Sequence, residues 1–239
     1  MRHAVALAAI LVCATPVARS DDLDNLRLLD QGEFRRLSED LGAALAYKPL
    51  NPTEPLGFPG IDVGLAVTGT RLQNVDVFRK ASSSGDFPST LPVPTLRGVV
   101  GLPLGFDVGV SASGVPGTDI RLLGGELKWA FIPGSTTLPA IGIRGSYSRL
   151  YGADPLDFQA KTLDLSISKG ILFVTPYAGV GRVWIDSTPS GAPSLGKESF
   201  SLPKLFVGIN SNFGLVNFAF EWDRTGDADS LGGKLGFRF

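Results

Sequence analysis

From residue 61 to the end of the chain, apolar and polar residues alternate with a period of two. Ile61, Val63, Leu65 and Val67 alternate with Asp62, Gly64, Ala66 and Thr68. Leu163, Leu165 and Ile167 alternate with Thr162, Asp164, Ser166 and Ser168. Val216, Phe218, Phe220 and Trp222 alternate with Asn217, Ala219, Glu221 and Asp223. A segment with one apolar and one polar face reads as a β-strand between two different media. Ten such segments are predicted, at 61–72, 94–102, 105–114, 120–132, 138–149, 159–168, 173–187, 198–210, 214–224 and 230–239. Strands of soluble sheets average about five or six residues. Most of these segments are longer, and about 9–11 residues is what a tilted strand needs to cross a bilayer.

The connections also follow a pattern. Those after the second, fourth, sixth and eighth segments are brief, while 73–91, 150–157 and 187–197 are longer and more polar. Alternation of short turns and long loops is the habit of transmembrane β-barrels, with the long loops external. An even number of strands returns both ends of the barrel to the short-turn side. The prediction is an all-β chain: a transmembrane antiparallel β-barrel of about ten strands, with eight or twelve as alternatives if 94–102 and 105–114 are miscounted or the stretch from Tyr47 to Gly60 adds structure. A soluble β-sandwich with its apolar face inward explains the alternation equally well, but not the strand length or the loop pattern.

Before residue 61 the period is helical. Leu26, Leu29, Phe34, Leu37, Leu41 and Leu45 recur at spacings of three to five, with Glu33, Arg35, Arg36, Glu39 and Asp40 on the other faces. The spacing predicts an amphipathic helix over 30–46, ended by Pro49, Pro52 and Pro55. Its stripe needs a partner, which in a barrel is the lumen or the membrane surface.

Residues 1–20 read as a secretory signal: Arg2 and His3, an apolar run from Ala4 to Ala14, then Ala18-Arg19-Ser20 before Asp21-Asp22. Domains follow as signal 1–20, helix and Pro-rich linker 21–60, and barrel 61–239. Val12 ahead of Cys13 departs from the small residue that precedes a lipidated cysteine. The only Cys, His and Met of the chain are Cys13, His3 and Met1. Removal of the signal therefore leaves 20 basic and 23 acidic groups and no thiolate, imidazole or disulfide chemistry. The near-neutral charge is too low for a nucleic-acid surface.

If the apolar parity faces lipid, the other parity is an inventory of the lumen: Arg97, Asp107, Glu126, Lys128, Arg144, Asp164, Arg182, Asp186, Lys204, Glu221, Lys234 and Arg238. Both signs are present, so a salt-bridged network is expected. Trp129, Tyr147, Tyr177 and Trp222 are candidates for an outward aromatic belt. Gly124-Gly125 and Gly179-Val180-Gly181 lie within predicted strands, which suits barrel curvature rather than a phosphate cradle.

The chain end Leu235-Gly236-Phe237-Arg238-Phe239 resembles the terminal strand that outer-membrane β-barrel proteins of Gram-negative bacteria present to the barrel assembly machinery. Gly101-Leu102-Pro103-Leu104-Gly105-Phe106-Asp107-Val108-Gly109 is similar to a hairpin common in small members of that class. The resemblance covers residues 61–239 and implies an outer-membrane location with periplasmic termini. It also implies Leu235, Phe237 and Phe239 as an assembly signal, and membrane lipid, lipopolysaccharide and the assembly machinery as partners. It implies no activity and no cofactor. Outer-membrane hydrolases of this class place a His in their sites, and none survives here, so the chain reads as non-enzymatic.

Carboxylates at Asp154 and Asp157, or at Asp223, Asp227 and Asp229, fit a solvated surface, and the second group lacks the spacing of a calcium loop. Loop 73–92, with Arg79, Lys80, Ser82, Ser83, Ser84, Gly85 and Asp86, reads as a hairpin tip facing solvent or surface polysaccharide. Two functions remain: an envelope structural or surface-binding barrel, or a narrow channel for small or apolar ligands gated by the N-terminal helix. A wide porin needs about 16 strands.

Overall fold

The computed structural model describes residues 25–82, 85, 87–114, 120–153 and 155–239. Residues 1–20, Ser83, Ser84, Asp86 and Asp154, on which parts of the sequence reading fall, lie outside the described residues. The ten strands are β1 (Ile61–Arg71), β2 (Thr90–Gly101), β3 (Phe106–Gly114), β4 (Arg121–Ile132), β5 (Ala140–Tyr151), β6 (Leu156–Ser168), β7 (Val174–Pro189), β8 (Glu198–Phe213), β9 (Val216–Thr225) and β10 (Ala228–Arg238). Each pairs antiparallel with its sequence neighbour, and β1 pairs with β10 from Asp62↔Arg238 to Thr70↔Ser230, which closes the barrel. Closure gives every strand a partner on both sides.

The largest boundary difference from the sequence reading is in β2, which begins at Thr90 rather than 94. Pro92 and Pro94 pair only with β1, because the β2–β3 ladder starts at Thr95↔Ser113. A proline lacks the N–H for a second ladder, so it is tolerated on this one-sided stretch.

Both barrel ends, Ile61 and Phe239, lie together at one rim, where Ile61 N–H donates to the Phe239 carbonyl at 2.6 Å. The connections β2–β3, β4–β5, β6–β7 and β8–β9 are at this turn end. The opposite, loop end holds the two long connections, 72–89 and 190–197. The β5–β6 connection is shorter than expected, because β5 reaches Tyr151 and β6 starts at Leu156.

The N-terminal helix α1 (Gln31–Leu45) begins with a capping box: Asp30 accepts from the Glu33 N–H, and Glu33 accepts from the Asp30 N–H. It lies inside the barrel. Phe34, Leu37, Leu41 and Leu45 are buried, and so are Ser38, Asp40, Gly42 and Ala43 on its other faces. At Gly42 a Cβ would stand 2.2 Å from Ile185 Cδ1, so the helix touches the wall of β7 there. The described part of the connection 72–89 packs on the barrel's interior rather than standing free in solvent. Its first part forms a short helix, α2 (Val75–Ala81), which folds Val77, Phe78 and Ala81 onto α1, and Phe87 stacks on Phe78 with centroids 4.9 Å apart.

Candidate functional site

The lumen is filled by the chain's own N-terminal segment. Asn25, the first described residue, is at the loop end, where its N–H donates to the Ala81 carbonyl at 3.1 Å. From there α1 descends, and residues 46–56 continue down the lumen as irregular chain to the turn end, where β1 starts. Around α1 the wall is apolar: Phe158, Ala160, Val183 and Ile185 are buried against it, with Leu91, Leu122, Phe200 and Leu202 at the margin. The β7–β8 connection adds Ala192 and Leu195 to this cluster.

Around residues 46–56 the wall is ionic. An unwound strap in a lumen must find partners for its peptide groups, since unpaired buried amides cost several kcal/mol in roughly the worst case. The wall supplies them. Arg97 Nη1 donates to the Lys48 carbonyl at 2.6 Å, and Ser148 Oγ to the Leu45 carbonyl at 2.8 Å. Lys128 Nζ donates to the carbonyls of Pro52 and Glu54, both at 2.9 Å, while paired with Asp107 at 2.7 Å. Arg144 donates to Asn51 Oδ1 at 2.7 Å and pairs through Nε with Glu126 at 2.9 Å. Lys204 donates to the Tyr47 carbonyl at 3.3 Å and lies 3.5 Å from Asp164. Acceptors serve the N–H groups in the same way. Glu221 takes the Leu50 N–H at 3.2 Å, Asp107 takes that of Leu56 at 3.1 Å, and Ser168 takes that of Glu54 at 3.0 Å.

Nine of the predicted lumen residues, Arg97, Asp107, Glu126, Lys128, Arg144, Asp164, Lys204, Glu221 and Lys234, are buried inside. Arg238 also points in, at the turn end, and pairs with Asp62 at 2.5 Å. Asp62 was absent from the predicted inventory although it sits at an inward place in the β1 alternation, and it also holds Lys234 at 2.9 Å. Lys48 and Asp223 pair inside as well. Asp223 therefore belongs to the lumen and not to a surface carboxylate group, while Asp229 faces outward and pairs with Arg224 at 3.3 Å.

Three residues on β7 are corrected. Arg182 and Asp186 face outward, and Tyr177 faces inward, where its hydroxyl donates to Glu221 at 3.0 Å. The reason is that β7 carries apolar residues on both faces near its loop end. Val183 and Ile185 meet α1 inside and Trp184 faces outward, so alternation alone does not fix the parity there. Outside, the surface is a belt of Leu, Val, Ile, Phe and Trp, with Phe237 59 % and Phe239 64 % exposed. Leu235, Phe237 and Phe239 share this outward face of the closing strand. Among the described residues, no group of His, Cys, Asp and Glu is arranged to hold a metal, and no helix is long and apolar enough to cross a membrane.

A cavity between the end of α1 and strands β1–β5 measures about 30 Å³, lined by Tyr47, Arg97, Ser111, Ser113 and Ser148 among others. That is room for about two waters, since a buried water needs roughly 10–15 Å³ of such space.

An antiparallel sheet closed on itself, apolar outside and charged within, is a transmembrane β-barrel of the outer-membrane type. No family model and no curated relative matches the sequence. Solved structures that the chain resembles include the N-terminal β-barrel domain of Pseudomonas aeruginosa OprF, with 13 % identity, 77 % of this chain and 99 % of that one covered, and a TM-score of 0.40. The translocator domain of the autotransporter NalP from Neisseria meningitidis is similar at 10 % identity, with 87 % and 94 % covered and a TM-score of 0.44. Ail, the attachment invasion locus protein of Yersinia pestis, is similar at 13 % identity, with 75 % and 97 % covered and a TM-score of 0.32.

Proposed function

We propose that the protein is a self-plugged barrel of the Gram-negative outer membrane that serves the envelope as a structural or surface-binding element and does not conduct. One observation supports this most directly. The lumen residues expected to line a path are spent on the backbone of residues 46–56, from Arg97 on Lys48 to Lys128 on Glu54. With the lumen closed, work at the cell surface falls to the covered loop end, built from α2 and residues 190–197 packed over α1. Leu235, Phe237 and Phe239 serve as the assembly signal in this reading.

The test is planar-bilayer conductance of the refolded chain lacking residues 1–20, after a heat-modifiability gel has shown that it is folded. A silent bilayer is expected. Steady ion conductance from the intact chain would overturn the reading and favour a channel in which α1 and residues 46–56 leave the lumen together.

A further inference from the structure

Between the apolar level of the lumen around α1 and the ionic level around residues 46–56, the wall carries hydroxyls. Thr68, Thr95, Ser111, Ser113 and Ser148 line the cavity at the end of α1, together with Arg97, which is one inward place nearer the turn end than Thr95. Three of these hydroxyls are occupied: Ser148 Oγ donates to the Leu45 carbonyl, and those of Thr95 and Ser113 bond each other at 2.8 Å. Among the described residues, the hydroxyls of Thr68 and Ser111 have no partner. Arg97 is buried and donates to the Lys48 carbonyl and, through Nη2, to the Tyr47 hydroxyl at 3.2 Å, but its Nε has no partner. Its nearest carboxylate, Glu126, is 3.6 Å away and is held more closely by Arg144, at 2.9 Å.

The cavity is not sealed. The β2–β3 ladder stops at Thr95↔Ser113, while β2 runs on to Thr90. The inward residues at that place, Val93, Thr95, Ser111, Ser113 and Leu122, are only half-buried, whereas Arg97, Asp107 and Glu126 on the same three strands are buried. All five lie on the loop-end side of the three, so the cavity is reached from the loop end.

We propose that this cavity is a binding site, entered from the loop end, for the carboxylate of a small acid or of an acidic sugar unit. Space for about two waters is space for the two oxygens of a carboxylate, and for less than the four of a phosphate or sulfate. Each oxygen is an acceptor, as the free hydroxyls of Thr68 and Ser111 and the guanidinium of Arg97 require, so displacing the waters leaves no donor unpaired. Charge agrees with this. Arg97 and Arg144 share the single carboxylate of Glu126, and a second carboxylate completes the balance. The rest of the ligand leaves past Val93 and Leu122. The site deepens the surface-binding reading and rests on it for a loop end that faces outward. Binding is read separately from conduction, so failure of the site and failure of the closed lumen are distinguishable.

The experiment observes Arg97 directly. Refolded chain lacking residues 1–20, isotopically labelled at its arginine nitrogens and held in nonionic detergent, gives side-chain Nε–H resonances, of which Arg97→Lys assigns one. Sodium acetate, sodium glucuronate, glucose and sodium chloride are titrated in turn, with ionic strength held by sodium sulfate. Acetate and glucuronate should shift the Arg97 resonance saturably, and glucose and chloride should not. Thr68→Val or Ser111→Ala, singly, should weaken binding of the acids about tenfold, and Ser190→Ala, in the β7–β8 connection, should leave it unchanged. Tighter binding of glucuronate assigns the carboxylate to a sugar unit and equal binding assigns it to a small acid, and either result supports the site. Absence of a saturable shift with both acids would overturn it, as would an equal response to chloride or glucose, or a Ser190→Ala effect as large as that of Ser111→Ala. The titration of the unaltered chain decides the question even for a variant that does not fold.

Discussion

At the loop end of the lumen Phe158, Val183 and Ile185 face α1, whereas at the turn end Asp107, Glu126, Lys128 and Arg144 face residues 46–56. The same ten strands supply both walls. What differs is the hydrogen-bonding state of the chain they enclose. A helix satisfies its own peptide groups, so its surroundings can be apolar and held by burial at about 25 cal/mol per Å². An irregular strap has unpaired carbonyls and N–H groups, and only polar side chains can meet them. The charges of the lower lumen are therefore best understood as a lining fitted to a peptide backbone, each carboxylate balancing the cation beside it.

The comparison predicts opposite responses to similar changes. Arg144→Met in the lower lumen removes both the contact to Asn51 and the nearer of the two cations on Glu126. Loss of one member of a buried pair costs about 3–5 kcal/mol. The expected result is a lower urea midpoint in detergent and rapid amide exchange across residues 46–56. In the upper lumen, Gly42→Leu should come next. Its Cβ meets Ile185, and overpacking of this kind costs about 1–3 kcal/mol. The readout is faster exchange in α1 with strands unaffected. A volume-conserving change in the same region, Leu37→Met, should cost under about 1.5 kcal/mol by the same urea measurement. A large effect there would show that the upper half is not the plain apolar packing described.

The smallest effect is expected where α2 meets α1. Lys80 pairs with Glu33 at 2.6 Å and, with the Asp30 N–H, holds the Glu33 carboxyl below its ordinary value of 4.5. A carboxyl lowered on folding stabilises the contact above its unfolded value, and that contribution is lost as pH falls through the folded one. Asp40 in the same contact acts in the opposite sense. Burial raises its carboxyl above the ordinary range although it accepts the N–H groups of Gln73 and Asn74, so its contribution is lost as pH rises. The difference between wild type and Lys80→Gln isolates the Glu33 part. Exchange of the α2 amides should quicken below about pH 4.5 in wild type and show a flatter profile in the variant.

Much of this was legible in the sequence. Period-two alternation located ten strands because lipid outside and charge inside impose opposite chemistry on successive residues, and the stripe Phe34, Leu37, Leu41, Leu45 located α1. Alternation was least informative on β7, where a lumen wall that contacts a helix is as apolar as the outer face. The tenancy of the lumen was also hidden. Residues 46–56 have no period, and their partners are remote: Lys48 meets a side chain 49 positions away, and Asn51 one 93 positions away. Asp62 could have been included in the inventory from its place in the β1 alternation alone. Lys48 could not, because nothing local marks a linker residue as enclosed.

The direction in which the segment runs bears on how the molecule is assembled. Its apolar end, α1, rests far from the rim where it joins β1, and the charged level lies between them. If the β1–β10 seam formed first, a greasy helix would have to be drawn through a ring of ions to reach its seat. A seam that zips shut around a helix already docked on the sheet avoids that crossing. In that order, Phe34 and its neighbours act as the mandrel on which the last ladder, Asp62↔Arg238 to Thr70↔Ser230, is wound.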